Sequence, residues 1–173
     1  YRLVEVCEFV LPDHPPKSAL MVVPFVAVGL VARIHAVQPR LTAATVASWF
    51  GAFAALALVH ELCHATGMRL AGARPQFGFR FRALQPCVLA EGFQFRQRDW
   101  MRLTVAPLVV TGPAAAVLLA FFPTSPWALI VFVLAPLGCA TDLRMMLHVH
   151  RQALPGDYLE DRAKGFAILR SVD

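Results

Sequence analysis

The residues best suited to chemistry lie in one short segment, His60-Glu61-Leu62-Cys63-His64. Two histidines four residues apart emerge on one face of a helix, so both imidazoles can reach one zinc ion at about 2.0–2.1 Å. A glutamate directly after the first histidine would stand beside the open position of the metal. There it can take a proton from bound water and deliver it to a leaving amine. The segment therefore predicts a catalytic zinc centre with Glu61 as general base.

A catalytic zinc site needs a third protein ligand, and Asp142 is the outstanding candidate. It is the only acid between Asp99 and Asp157, and an unpaired carboxylate in an apolar stretch would be costly. The two histidines and Asp142 lie toward the C-terminal ends of apolar stretches that run in the same direction, so they can converge at one depth. A salt bridge to Arg144 or an interhelical hydrogen bond is the alternative for Asp142.

Other potential ligands are weaker candidates. Glu91 is the next acid to consider, although an exposed loop charge is its simpler interpretation. Cys63 and Cys139 are chemically able to bind zinc, but Cys63 points about 100° away from His64 on a helix. Cys139 lies one turn before Asp142 and could line the site without ligating. For the whole HExxH segment, the alternative is a metal-free polar cluster that bonds to neighbouring helices.

The composition indicates a membrane protein. Of 173 residues, 58% are hydrophobic and 16% are charged, whereas soluble domains run nearer half apolar and a quarter charged. Apolar stretches of the roughly 20 residues that cross a bilayer as a helix occur at about 19–37, 42–70, 103–122 and 127–147. We therefore expect an all-α membrane protein with about four transmembrane helices, forming a single domain over residues 1–173.

Between the second and third stretches, phenylalanines alternate with glycine and arginine, which is the period of a strand. This pattern predicts a small β-hairpin over about 74–100, lying at the membrane surface; an irregular amphipathic loop is the alternative. An edge strand there could capture an extended substrate by main-chain pairing. The candidate substrate-binding residues are accordingly Phe77, Phe79, Phe81, Phe93 and Phe95.

The positive charge is arranged as in a multi-pass membrane protein. The net charge is +5, but the arginines cluster in the loop that joins the second and third stretches and in the C-terminal tail. Short loops rich in Lys and Arg stay in the cytoplasm, so we expect a cell-membrane protein with both termini and the hairpin cytoplasmic. The charge then faces anionic lipid headgroups of the bilayer, and no nucleic-acid partner is expected.

The order of these parts resembles the site-2 protease superfamily of intramembrane zinc proteases. That core has HExxH in one membrane helix, a Gly-Pro motif in the next and an aspartate ligand in the third. The corresponding residues here are the HExxH segment at 60–64, Thr111-Gly112-Pro113 and Asp142. Two positions depart from the superfamily pattern: Leu143 replaces the usual Gly after the aspartate, and Ala116 replaces the Asn of Gly-Pro-x-x-Asn.

The sequence is also similar to a zincin-peptidase membrane family, in which HELxHA precedes a hairpin rich in Gly and Phe. The matching stretches are HELCHA from His60 and GARPQFGFRF from Gly72. The family's later Ala-Pro, Gly-x-x-x-Asp and Pro-x-x-x-x-x-Asp elements fall at Ala106-Pro107, 138–142 and 155–161. The resemblance implies Zn²⁺ as cofactor and hydrolysis of peptide bonds in a membrane-protein substrate.

Two other classes of function are compatible with these residues. A non-catalytic zinc protein, such as a sensor or scaffold, would hold its metal with four protein ligands. An ion or proton carrier would spread polar residues along a pathway through its helices, whereas these stretches show one cluster at one depth. A haem bundle is disfavoured, because histidines one turn apart on one helix cannot ligate opposite faces of a haem.

Overall fold

The computed structural model describes residues 2–10, 42–80, 85–162 and 165–172. Four helices form in these parts of the chain, and the last two meet end to end at Cys139. The predicted stretch at 19–37 and the side chain of Phe81 lie outside the described residues. The helices are α1 (Ala43–Leu70), α2 (Gln97–Phe121), α3 (Pro126–Gly138) and α4 (Ala140–Gln152).

Three helical stretches in the described part of the chain are long and apolar enough to cross a membrane. They are α1, α2 and the combined stretch of α3 and α4 over Trp127–Gln152. These helices coincide with the apolar stretches predicted at 42–70, 103–122 and 127–147. A total of four spans would need the segment at 19–37 as well.

Helix α1 presents apolar side chains outward. Thr42 caps its N-terminus by accepting a hydrogen bond from the Thr45 backbone N–H. Along the helix, Phe50, Phe53 and Leu58 are more than half exposed. Of its most apolar 18 residues, only 6% are buried within the protein. A helix in water would bury such residues along one face, so this surface suits contact with lipid.

Within the described residues, six strands form two separate antiparallel sheets. Strands β2 (Gln76–Arg80) and β3 (Gln85–Leu89) make the two-stranded hairpin. The other four make a sheet with the order β1-β6-β5-β4. Its strands are β1 (Arg2–Val10), β4 (Gln94–Arg96), β5 (Tyr158–Arg162) and β6 (Gly165–Val172).

The four-stranded sheet packs against the ends of α2 and α4. Its buried face carries Phe95, Leu159, Phe166 and Ile168, each no more than 1% exposed. Trp100, in the first turn of α2, packs against Phe166 in a tilted arrangement with ring centroids 4.7 Å apart, and Val149 of α4 joins the same core. Because β4 runs directly into α2, this core fixes where α2 begins.

This sheet corrects the expectation of an all-α protein with one hairpin over about 74–100. The hairpin itself is present, but it ends at Leu89, and β4 leaves it to pair with β5. Phe95 therefore lies opposite Leu159 rather than in the hairpin. The missed pairing is non-local: β1 pairs with β6 from Arg2↔Val172 onward, and no local sequence pattern reports such a partner.

A buried aspartate secures the start of the C-terminal hairpin. Asp157, 4% exposed, accepts two hydrogen bonds from the guanidinium of Arg170, at 2.9 and 2.8 Å, and one from the Leu154 backbone N–H at 2.8 Å. The Arg170 guanidinium stabilises the charged carboxylate and holds the pKa of Asp157 below its usual value, although burial opposes this effect. The pair ties β6 to the turn between α4 and β5.

We expect Asp157→Asn to destabilise the protein at neutral pH by about 1–2 kcal/mol, because the Arg170 guanidinium loses its charged acceptor. A carboxyl with a depressed folded-state pKa stabilises the fold above its unfolded pKa, about 3.9, and loses this effect as pH falls through the folded value. The gap in Tm between wild type and variant should thus close in strong acid. Thermal unfolding in detergent measures it, with Asp99→Asn, in an exposed pair with Arg102, as control. Equal Tm values at neutral pH would contradict this account.

Candidate metal centre

Two histidines and an aspartate meet where α1 passes the junction of α3 and α4. His60 and His64 lie one turn apart on α1, and their Nε2 atoms are 3.2 Å apart. The Asp142 Oδ2 atom lies 3.2 Å from Nε2 of His60 and 3.5 Å from Nε2 of His64. The structure thus brings together the three residues that the sequence predicted as ligands.

Asp142 is buried in the first turn of α4, where a carboxylate is favoured by the helix dipole. Its Oδ2 atom is inaccessible to solvent and accepts no well-aligned hydrogen bond among the described residues, despite the two nearby ring nitrogens. An orphaned buried carboxylate oxygen is costly. A cation between the three atoms would satisfy it.

The distances fit one tetrahedral zinc ion. Ligand atoms about 2.0–2.1 Å from zinc lie about 3.3–3.4 Å from one another in a tetrahedral site. The three observed separations of 3.2, 3.2 and 3.5 Å bracket that value. His60, His64 and Asp142 can therefore occupy three corners of a tetrahedron, which leaves one corner for water, as in catalytic zinc sites.

A backbone carbonyl orients His64. Its Nδ1 atom lies 3.0 Å from the Leu103 carbonyl oxygen of α2. A carbonyl only accepts, so Nδ1 carries a proton and donates. In the neutral ring this leaves the lone pair on Nε2, the nitrogen that faces Asp142. Such an outer contact is typical of metal-ligating histidines.

The same contact depends on a close approach of α1 and α2 at Gly67. A Cβ atom at this glycine would lie 2.7 Å from Cβ and 3.1 Å from Cα of Leu103. Only glycine lets the two backbones come this close without a shift. The position of the Leu103 carbonyl, and hence of the His64 ring, therefore depends on Gly67.

Glu61 faces the hairpin rather than the lipid. It is 6% exposed, and it lines the same cavity as Val88 of β3, whose backbone N–H is close to its carboxylate. Strand β3 therefore runs beside the residue predicted as general base. This contact could not be predicted from the sequence, because the donor is a backbone group.

A cavity of about 100 Å³ adjoins the cluster, which is room for a few water molecules. It lies between the helices, β3 and the turn region of β5 and β6. Its lining includes the three candidate ligands, Glu61, Val88 and Asp161. Asp161 accepts a hydrogen bond from the Ala90 N–H at 2.6 Å and so holds the end of β3 to β5.

The remaining sequence candidates fall into different surroundings. Phe77 and Phe79 on β2 are 58% and 47% exposed. Phe93 is half-buried beyond the hairpin, and Phe95 is in the sheet core. Glu91 lies in an exposed turn.

Two further sequence interpretations concern neighbours of Asp142. The guanidinium of Arg144 lies 5.9 Å from the ring centroid of Phe9, so a salt bridge to Asp142 is not what the structure shows. Cys139 borders the site: its Sγ atom lies 3.8 Å from Nδ1 of His60. His60, Cys139 and Asp142 also form a group whose ligand atoms lie within 4.8 Å of one another, but the sulfur faces the nitrogen on the far side of the His60 ring.

Two histidines and a carboxylate that converge at one point are a ligand set that catalytic zinc sites use. A family model described as "Putative zincin peptidase" matches residues 53–153. The match covers most of α1 and all of α2, α3 and α4, and the chain belongs to this family. The family implies zinc and metallopeptidase activity. No curated protein and no solved structure matches the chain.

We expect Gly67→Ala to weaken the site as well as the fold. The added methyl must push α2 away at Leu103, a strain of about 1–3 kcal/mol, and it moves the carbonyl that orients His64. Tm and zinc affinity should both fall. Gly51→Ala is the matched control, because a Cβ there meets nothing within 4 Å. An unchanged zinc affinity in Gly67→Ala would show that the Leu103 contact does not matter.

Proposed function

We propose that the protein is an intramembrane zinc metalloendopeptidase of the site-2 protease type, which hydrolyses peptide bonds of membrane-embedded or juxtamembrane protein substrates. The observation that carries the proposal is the convergence of the His60 and His64 Nε2 atoms with Asp142 Oδ2 at 3.2–3.5 Å. Membership of the zincin peptidase family supports it, and so do three helices able to cross a membrane.

In this proposal, His60, His64 and Asp142 hold the zinc ion, which when bound supplies a Lewis acid that acidifies water and polarises a carbonyl. Glu61 takes the proton of the attacking water and returns it to the leaving amine. Water adds to the peptide carbonyl, the C–N bond breaks, and a carboxylate and an amine result. The cavity beside Glu61 supplies the space for water.

The hairpin is the proposed substrate-binding element. A helical substrate hides its amides, so it must unwind locally before it is cut. Val88 of β3 and Glu61 line the same cavity, so a segment paired along this hairpin would be held beside the general base. The exposed rings of Phe77 and Phe79 on β2 are proposed to contact apolar substrate side chains. Of the other candidates, Phe93 is half-buried, Phe95 lies in the sheet core, and Phe81 lies outside the described residues.

The proposed setting is the cell membrane, with residues 1–173 acting as one catalytic domain. The arginine-rich hairpin region and the C-terminal strands lie at one end of the helices, and we place this end and both termini in the cytoplasm. Lipid is the partner of the outward apolar surface of α1. Nucleic acid is not a proposed partner.

Two rival functions make different demands on the same residues. A structural zinc site would recruit a fourth protein ligand, for which Cys139 is the nearest candidate among the described residues. A carrier would need polar groups along a path, whereas in the described helices the buried ionisable groups His60, Glu61 and Asp142 meet at one place. We therefore favour hydrolysis over both rivals.

The test is Glu61→Gln. This variant keeps the shape of the side chain but cannot take a proton, so we expect zinc to be retained and the rate of peptide hydrolysis to fall by about 10²–10⁴-fold. A mixture of synthetic single-span membrane peptides, with fragments read by mass spectrometry, supplies the assay. Glu91→Gln, which alters an exposed carboxylate, is the control. Undiminished cleavage in Glu61→Gln would refute the assigned role.

A further inference from the structure

The hairpin of β2 and β3 joins the rest of the protein through two tight connections. At one end, Gly72 follows α1 with a φ of 87°, and the Ala73 N–H donates to the Met68 carbonyl oxygen at 2.9 Å. At the other end, Gly92 has a φ of 75° between β3 and β4. Both glycines have the left-handed backbone that other residues rarely adopt. The orientation of the hairpin therefore depends on the contacts that hold these two turns.

Asp161 of β5 holds the second turn. Its Oδ2 atom accepts a hydrogen bond from the Ala90 N–H at 2.6 Å, a short distance that is typical of a charged acceptor. The Gly92 N–H donates to the Asp161 carbonyl oxygen at 2.9 Å, and the Asp161 N–H donates to the Phe93 carbonyl oxygen at 3.2 Å. These two backbone bonds could form with any residue but proline at position 161. Only the bond to Ala90 needs the carboxylate.

The bond to Ala90 fixes the strand that borders the candidate metal centre. Ala90 directly follows Leu89, the last residue of β3, and is 3% exposed. Residues 86–89 of β3 line the cavity together with Glu61, and Asp161 itself contributes to the wall. A change of chain direction at Ala90 would therefore move β3 relative to Glu61.

We propose that Asp161 is a positioning residue that holds β3 beside Glu61 and thereby sets the affinity for a substrate strand. This inference rests on the proposed role of the hairpin in substrate binding. Without the carboxylate, the hairpin occupies the competent position for only part of the time, and the apparent affinity falls by that fraction. A bound substrate still meets the same ligands and the same Glu61, so the rate of the chemical step is kept.

The first measurement is amide hydrogen exchange of the protein in detergent, which reports local opening. Asp161→Ala removes the acceptor, and we expect the amides of β2, β3 and Ala90 to exchange about 10–100-fold faster, the factor that a hydrogen bond to a charged group is worth. Asp161→Asn keeps a carbonyl oxygen that can accept from Ala90, so its hairpin should exchange nearly as slowly as that of wild type. Wild-type exchange rates in Asp161→Ala would overturn the inference.

A neighbouring carboxylate provides the matched control. Glu160 precedes Asp161 on β5 and accepts a hydrogen bond from the Arg162 side chain at 3.2 Å. Successive side chains of a strand face opposite sides, so Glu160→Ala should leave the exchange of the hairpin unchanged. In Asp161→Ala, the amides of β6 and α2 should also keep wild-type rates. If they exchanged faster as well, Asp161 would serve general stability and the inference would fail.

Cleavage of single-span membrane peptides supplies the second readout. Asp161→Ala should raise KM by about 10–100-fold, with kcat and zinc affinity nearly unchanged, whereas Asp161→Asn should have nearly the KM of wild type. A weaker affinity for zinc, or a lower kcat at an unchanged KM, would place the effect at the metal centre and overturn the proposed role.

The outcomes separate this inference from the proposed function. If wild type binds no zinc or cleaves none of the peptides, the proposed function fails, and the substrate role of Asp161 fails with it. If wild type binds zinc and cleaves the peptides, but Asp161→Ala has the KM of wild type, the inference fails alone.

Discussion

A carboxylate oxygen of Asp142 lies against two imidazole nitrogens at a buried position between two helices. In such surroundings an unsatisfied carboxylate is costly, and the described residues provide Oδ2 with no well-aligned donor. A divalent cation would satisfy the carboxylate and both nitrogens at once. The separations of 3.2–3.5 Å between the three atoms match those required, so the arrangement of α1 and α4 around this point is what the proposed chemistry depends on.

The rest of the fold serves to hold these atoms in place. Gly67 lets α2 approach α1 closely enough for the Leu103 carbonyl to orient His64. The junction at Cys139 turns α3 into α4 and brings a thiol to the far side of the His60 ring. The four-stranded sheet anchors the start of α2 through Trp100 and the end of α4 through Val149. The hairpin brings a backbone donor to Glu61, so each side chain of the site has a neighbour on a different element.

The helices and the convergence of His60, His64 and Asp142 were predictable, because composition, span length and the i, i+4 spacing are local signals. The sheet was not, since the partner of β1 is at the opposite end of the chain and the partner of Phe95 is Leu159. An alternation of phenylalanines correctly indicated strands near Phe77 but could not show that the chain changes sheets before Phe95. The contacts that orient the site were also hidden, because the Leu103 carbonyl and the Val88 N–H are backbone groups that every sequence possesses.

The most direct test of the account is X-ray absorption spectroscopy of the zinc-loaded protein in detergent. The proposed site predicts one zinc ion per chain with only nitrogen and oxygen ligands near 2.0–2.1 Å. The spectrum should also show the outer-shell scattering of two imidazole rings. The loss of one imidazole in His64→Ala would identify the ring. A sulfur neighbour near 2.3 Å or a zinc ion without imidazole ligands would contradict a centre built from His60, His64 and Asp142.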